Sequence, residues 1–306
     1  MNAPASAPVP AAAPRTAVVI GCGTTGTSLA LALTGAGVRV ALADDDPRAV
    51  AEAAALGAGT AWSSALPPAD LVVVAVPPAA VADVLYDAQS RGLGQVYTDT
   101  AATKEIVSAE AELRGCDLKG YVPGHPLAGP DGPGRGAADA ARFTGRPWVL
   151  CPYDTTPAAA LETVAATLDL VGARRVDLAP HVHDRMLAEL SHGPHLVAAA
   201  LATRFADGSG PLLELAGDRL REAVRGAAGD PWLWSEVLAH NAGPVADVLE
   251  RIAGQLSRAA AILREGDPGA PLELALTLEE GRRGQAALRR AAEPGTLEDV
   301  PARRRS

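Results

Sequence analysis

Three groups of residues have the types and spacing for chemistry. The first is Gly21-Cys22-Gly23-Thr24-Thr25-Gly26, three glycines in GxGxxG order. In that order the first glycine permits a tight turn, the second lets the backbone approach a pyrophosphate, and the third allows a helix to pack closely on a strand. Free amides at the start of the following helix attract the phosphates. Asp44 stands 18 residues beyond Gly26. A carboxylate there accepts hydrogen bonds from both ribose hydroxyls and repels a 2′-phosphate, which favours NAD over NADP. The second group is Gly124-His125-Pro126-Leu127-Ala128-Gly129, an imidazole in a constrained loop. Taken alone, a loop histidine is more often a surface residue. The third group is helical. Asp184, Ala188, Ser191 and His195 follow i, i+4, i+7, i+11 and share one stripe, with His192 at its border. Polar groups facing a bundle interior need partners, either one another or a ligand. Arg221, Arg225 and Trp234 follow; an arginine on an Ala-rich helix is usually a solvated charge, but a guanidinium is also the best carboxylate clamp. His181, His183, His192 and His195 show no zinc-type spacing with an acidic residue, so no metal is expected.

These groups need a frame. Thr16 to Ile20 is a β-branched apolar run leading into the glycine loop, and Thr27 to Thr34 is helical up to the Gly35-Ala36-Gly37 turn. Strands follow at Val38 to Ala43, Asp70 to Val76, Val96 to Asp99, Gly120 to Val122, Trp148 to Cys151 and Arg174 to Leu178. Helices alternate with them at Pro47 to Leu56, Val81 to Arg91, Thr103 to Arg114 and Pro157 to Val171. Apolar strands alternating with helices specify an α/β, Rossmann-like doubly wound parallel sheet, with ligands at the carboxyl edge. The His125 loop follows a strand and belongs at that edge. Beyond Pro180 only helical periodicity remains, at His181 to Phe205, Leu212 to Gly226, Pro231 to His240, Pro244 to Arg264 and Leu272 to Glu280, then a tail. Pro194 should kink the first of these helices. The expected division is a disordered tail over 1–14, an NAD-binding domain over 15–180 and an all-helical substrate and dimerisation domain over 181–306.

Composition narrows the function classes. A net charge of −9 gives no broad footprint for nucleic acid, and Arg303 to Arg305 reads as a solvated tail. No apolar run approaches the ~20 residues of a membrane span. The Ala/Pro-rich start lacks the basic and apolar regions of a signal peptide. Cys22, Cys116 and Cys151 are odd in number and far apart, which fits a reducing cytoplasm. Cys22 reads as a small filler residue in the loop.

Taken together, the segments resemble the prephenate/arogenate dehydrogenase family. The resemblance is carried by Gly21 to Gly26, Asp99-Thr-Ala-Ala-Thr-Lys104, Gly124-His-Pro-Leu-Ala-Gly129, Phe143-Thr-Gly-Arg-Pro-Trp-Val-Leu-Cys-Pro152, His183-Asp-Arg185, Ser191-His-Gly-Pro-His195, and Arg225 through Asp230-Pro231 to Trp234. It implies an NAD-dependent oxidoreductase of tyrosine biosynthesis that oxidises a cyclohexadienyl acid at C4 and releases carbon dioxide. His125 matches the residue that takes the C4 hydroxyl proton. Ser191, His192, His195 and Arg225 match positions lining the substrate pocket and holding its carboxylates, Trp234 an aromatic near the pocket, and Asp131 an acidic residue at its mouth. Gly21, Gly23, Thr24, Thr25, Gly26, Asp44, Val76, Pro77 and Asp99 make up the expected cofactor contacts. The family forms homodimers through its helical domains.

One position departs from the family pattern. Ala102 stands where a serine usually contacts the catalytic histidine and the nicotinamide end of the cofactor. Losing one such hydrogen bond costs about 0.5–1.5 kcal/mol. The change opens a second reading, a 4-amino-4-deoxyprephenate dehydrogenase of specialised metabolism, and a third, a non-catalytic NAD-binding regulator. A β-hydroxyacid dehydrogenase or imine reductase shares the architecture but leans on Lys or Asp in its helical domain, where this chain carries histidines.

Overall fold

The computed structural model describes residues 13–128, 138–208, 210–266 and 268–291. The chain opens with β1 (Thr16–Ile20), α1 (Thr24–Gly35), β2 (Arg39–Ala43), α2 (Pro47–Ala55), β3 (Thr60–Ala61), β4 (Ala69–Val74), α3 (Val81–Ser90), β5 (Gly94–Asp99), α4 (Glu105–Arg114) and β6 (Tyr121–Val122). The six strands form one parallel sheet in the order β3-β2-β1-β4-β5-β6. Alternation along each strand feeds two cores. Val19, Leu71 and Val73 face one side with α1, and Val18 and Val72 face the other with Leu85 of α3 and Ala111 of α4. The strand order reverses between β1 and β4, so the crevice where α/β folds bind ligands opens at their carboxyl ends. There Ala75 N–H donates to Ile20 O at 2.7 Å and Gly21 N–H to Ala43 O at 2.8 Å.

The expected doubly wound sheet is present, but it stops at β6. β7 (Gly124–Pro126), β8 (Pro147–Leu150) and β9 (Arg174–Asp177) form a separate three-stranded sheet, antiparallel between β7 and β8 and parallel between β8 and β9, with α5 (Ala158–Leu170) between β8 and β9. His125 therefore sits in a short strand rather than a loop, opposite Val149. Pro123 and Pro126, which carry no N–H, confine β7 to three residues.

The helical part begins with α6 (Pro180–Leu187), a π-helical turn at Ala188–His192 and α7 (Gly193–Ala202), closed by a 3-10 turn at Thr203–Phe205. The expected kink at Pro194 is a π turn just before it. Pro194 has no N–H for the carbonyl of Leu190, and Gly193 N–H instead reaches five residues back to Ala188 O. Then come α8 (Gly210–Glu214), α9 (Asp218–Val224), a 3-10 turn at Arg225–Ala227, α10 (Pro231–His240), α11 (Ala242–Glu265) and α12 (Ala270–Ala291). The Leu212 to Gly226 segment is thus two short helices, broken near Gly217. α12 runs well past Glu280, through Gly281 and Gly284, where Glu279–Arg282 and Glu280–Arg283 pairs straddle the first glycine. The chain divides into two compact units, Met1–Val248 and Leu249–Ser306. Among the described residues no helix is long and apolar enough to cross a membrane.

Candidate active site

The glycine loop has the shape a dinucleotide requires. Gly21 has φ +103°, and a Cβ there would lie 2.2 Å from Ala75 O and 3.2 Å from a Val76 methyl. A Cβ on Gly26 would lie 1.9 Å from Gly21 O. At Gly23 a Cβ would meet nothing, so backbone faces open space where a pyrophosphate can approach. α1 begins at Thr24 with no side chain capping it, and Thr24 and Thr25 are half-buried in its first turn. Asp44, half-buried just past β2, accepts from Cys22 N–H at 2.6 Å and Asp46 N–H at 2.9 Å, which ties the glycine loop to the carboxylate. Val76 and Pro77 follow β4 in a loop, a shorter strand than expected, and Val76 packs against Gly21. These residues fit a bound NAD. Gly26→Ala should weaken NAD binding by about 10–100-fold, because the backbone must shift by an amount costing ~1–3 kcal/mol. Isothermal titration with NAD checks this; unchanged affinity would mean the close packing at Gly26 is dispensable.

A second feature is a chain of imidazoles. His125 Nδ1 lies 2.9 Å from His183 Nε2, and His183 Nδ1 lies 2.7 Å from Asp184 Oδ1. Asp184 also accepts from the backbone N–H of Lys104 and of Glu105, both at 2.9 Å. A carboxylate with three donors is an acceptor throughout, so His183 carries its proton on Nδ1 and leaves Nε2 bare. His125 then donates Nδ1–H to His183 and keeps a bare Nε2, which has no protein partner among the described residues. Burial, then the electrostatics of the neighbouring His183, Lys104 and His192, hold the His125 imidazole well below its usual pKa of 6.5. Burial lowers His183 too, opposed by its bond to Asp184. Both rings are therefore neutral at physiological pH.

Beneath this chain lies an ion pair. Lys104 Nζ bonds Asp99, both side chains fully buried. Asp99 also accepts from Tyr121 OH at 2.8 Å, Gly124 N–H at 3.0 Å and Ala101 N–H at 2.9 Å. Asp99 was expected among the cofactor contacts; its carboxylate is instead spent inside the protein, joining the end of β5 to the strand carrying His125. Farther along, His192 is buried, its pKa lowered by burial to about 4. His195 is half-buried and stacks on Trp234 with ring centroids 3.7 Å apart, and His192 meets Trp234 edge-on at 6.2 Å.

The structure thus brings together His125, His192, His195 and Trp234 from the expected set. Ser191 is half-buried while His192 is buried, because the π turn shifts the phase of the stripe. Arg225 is 65 % exposed and pairs with Glu222 at 3.0 Å, on a turn that packs against α7; it is not in the histidine cluster. Asp131 lies outside the described residues. Sequence reasoning missed three members: His183, Lys104 and Asn241. The adjacency of His183 and Asp184 at a helix start was the available signal for the first, and the place of Lys104 at the end of the Asp99–Lys104 segment was the signal for the second.

A dinucleotide loop at the switch point of a 3-2-1-4-5-6 sheet, in a chain that also holds a hydrogen-bonded pair of neutral histidines, is the architecture of an NAD-dependent dehydrogenase. Residues 28–177 match the family model described as prephenate dehydrogenase, nucleotide-binding domain, and residues 179–279 the one described as prephenate dehydrogenase, dimerization domain. The chain belongs to the prephenate dehydrogenase family. Among its relatives, the probable prephenate dehydrogenase NovF of Streptomyces niveus is 41% identical over 253 residues, 82% of this chain and 69% of that protein. A cyclohexadienyl dehydrogenase of Zymomonas mobilis is 31% identical over 65% of this chain and 70% of its own length. The fold is that of the A. aeolicus prephenate dehydrogenase solved with hydroxyphenyl propionate and NAD+, at TM-score 0.79 and 24% identity over 90% of this chain and 98% of that one.

Proposed function

We propose that this chain catalyses the NAD-dependent oxidative decarboxylation of prephenate, with His125 as general base. The observation that carries this reading is the Asp184–His183–His125 chain. It fixes the tautomer of His125 and leaves Nε2 as a bare acceptor, as proton abstraction from a C4 hydroxyl requires. When bound, NAD supplies the hydride acceptor. The protein orients the hydroxyl, takes its proton on His125 Nε2, and lets His183 and Asp184 stabilise the imidazolium that forms. Loss of the C1 carboxylate as carbon dioxide follows, driven by aromatisation. His192, His195 and Trp234 line the substrate side, with Ser191 at its edge; Arg225 and Asp131 remain part of the proposed substrate set. Gly21, Gly23, Thr24, Thr25, Gly26, Asp44, Val76 and Pro77 hold the cofactor, and Asp44 selects NAD over NADP.

Ala102 favours a second substrate, the 4-amino analogue, by removing a hydroxyl from beside the base. The His183 bond weighs against it, since His125 is oriented without that hydroxyl. Prephenate, arogenate and 4-amino-4-deoxyprephenate assayed side by side, following NADH absorbance, separate the two. Prephenate should be turned over, with kcat/KM holding until the pH falls below 6.5, because the neutral base is lost only as pH passes down through the lowered pKa of His125. NAD binding with no NADH from any of the three acids would leave the non-catalytic reading.

The division of labour falls at Pro180, with the cofactor on 15–180 and substrate and dimer contacts on 181–306. The chain acts as a homodimer through its helices, where Leu256, Leu263, Leu272 and Leu276 stand exposed. Its free thiols, Cys22, Cys116 and Cys151, suit the cytoplasm.

A further inference from the structure

We propose that Asn241 is a positioning residue that locks His192 in its Nε2–H tautomer, so that His192 offers an oxygen of the substrate a neutral hydrogen-bond donor. The role in substrate binding rests on the reading above; the tautomer does not.

Asn241 is buried at the junction of α10 and α11. Its Nδ2 lies 2.7 Å from the backbone oxygen of Asp184 and 2.9 Å from His192 Nδ1. A backbone carbonyl only accepts, so the amide atom facing it is the NH2 group and the orientation of the side chain is settled. The second N–H of that group points at His192 Nδ1. A protonated Nδ1 would set N–H against N–H, so Nδ1 is the bare nitrogen and the ring proton sits on Nε2. That N–H faces away from Asn241 and has no protein partner among the described residues. Burial opposes a charge on this ring, which keeps it a donor rather than a cation.

The consequence is a pair of ring nitrogens of opposite polarity. His125 Nε2 is a bare acceptor, and His192 Nε2–H is a donor. The two rings are linked through His183, Asp184 and Asn241. A substrate carrying a hydroxyl and an anionic or carbonyl oxygen satisfies both at once. Asn241 also holds the carbonyl of the residue whose carboxylate orients His183, so one amide anchors both branches. Asp184 O accepts a second bond from Ala188 N–H, so removing Asn241 does not leave it unpaired.

Two-bond 1H–15N correlation spectra of the apo protein test the tautomer, with the His192 signal assigned by its loss in His192→Phe. The expected spectrum shows a neutral ring protonated on Nε2. Protonation on Nδ1, or a cationic ring at neutral pH, would overturn the proposal without any mutation of Asn241. Asn241→Asp should move the proton to Nδ1, since a carboxylate accepts where the amide donates. Asn241→Leu should raise the substrate KM by about 10-fold, the loss of a donor to a charged acceptor, with kcat changed less than about 3-fold and NAD affinity unchanged. A purely structural Asn241 would instead leave KM intact in the folded variant, which would overturn the substrate role. Failure of the wild-type protein to oxidise any cyclohexadienyl acid would count against the proposed function, while the tautomer measurement stands apart.

Discussion

His125→Asn should cut turnover by about 10²–10⁴-fold, the range lost with a general base, while leaving NAD affinity near that of the parent. Asparagine approximates the reach of Nδ1 but has no nitrogen that takes a proton at neutral pH. The effect is confined to chemistry because, among the described residues, the His125 side chain makes one hydrogen bond, to His183. The glycine loop, by contrast, is organised by Gly21, Gly26 and Asp44. Single-turnover kinetics and NAD titration on the same preparation check both halves. Unchanged turnover would remove His125 from the mechanism; a parallel loss of NAD affinity would make its role structural.

Asp99→Ala should destabilise the fold by about 3–5 kcal/mol, the cost of stranding a buried charge by deleting its partner. The Lys104 ammonium has no exposure and Asp99 is its partner. The same carboxylate also receives Tyr121, Gly124 and Ala101, so the deletion loosens the end of β5 and the start of β7 together. The double variant Asp99→Ala/Lys104→Met should recover part of the loss, since no charge is left stranded. Denaturant midpoints measure both. A single variant within 1 kcal/mol of the parent would show that Lys104 finds water or another acceptor.

The parallel sheet was legible because Val18, Val19 and Leu71 to Val74 are apolar in succession, a pattern that only a strand covered on both faces needs. The cofactor loop was legible because glycine spacing is a local constraint. What escaped was long-range. His125 and His183 are 58 positions apart and Lys104 and Asp184 are 80 apart; nothing in the sequence joins the members of either pair until β7 and α6 are placed. The small second sheet escaped for a related reason, since one proline-bounded strand of three residues carries no periodicity. Asn241 sits between two helices, where a polar residue ordinarily marks a cap.

The π turn at Ala188–His192 has a consequence for tolerance to length change. A residue contributes about 100° of rotation to a helix, and this turn holds one residue more than an α-helical segment of the same span. The extra residue is taken up inside the π turn, with Gly193 N–H bonded to Ala188 O, so the helix that follows keeps the facing that sets His195 on Trp234. A one-residue change of length in α6 after Asp184, with no such turn to take it up, should therefore rotate His192 and His195 away from His183 and Asp184.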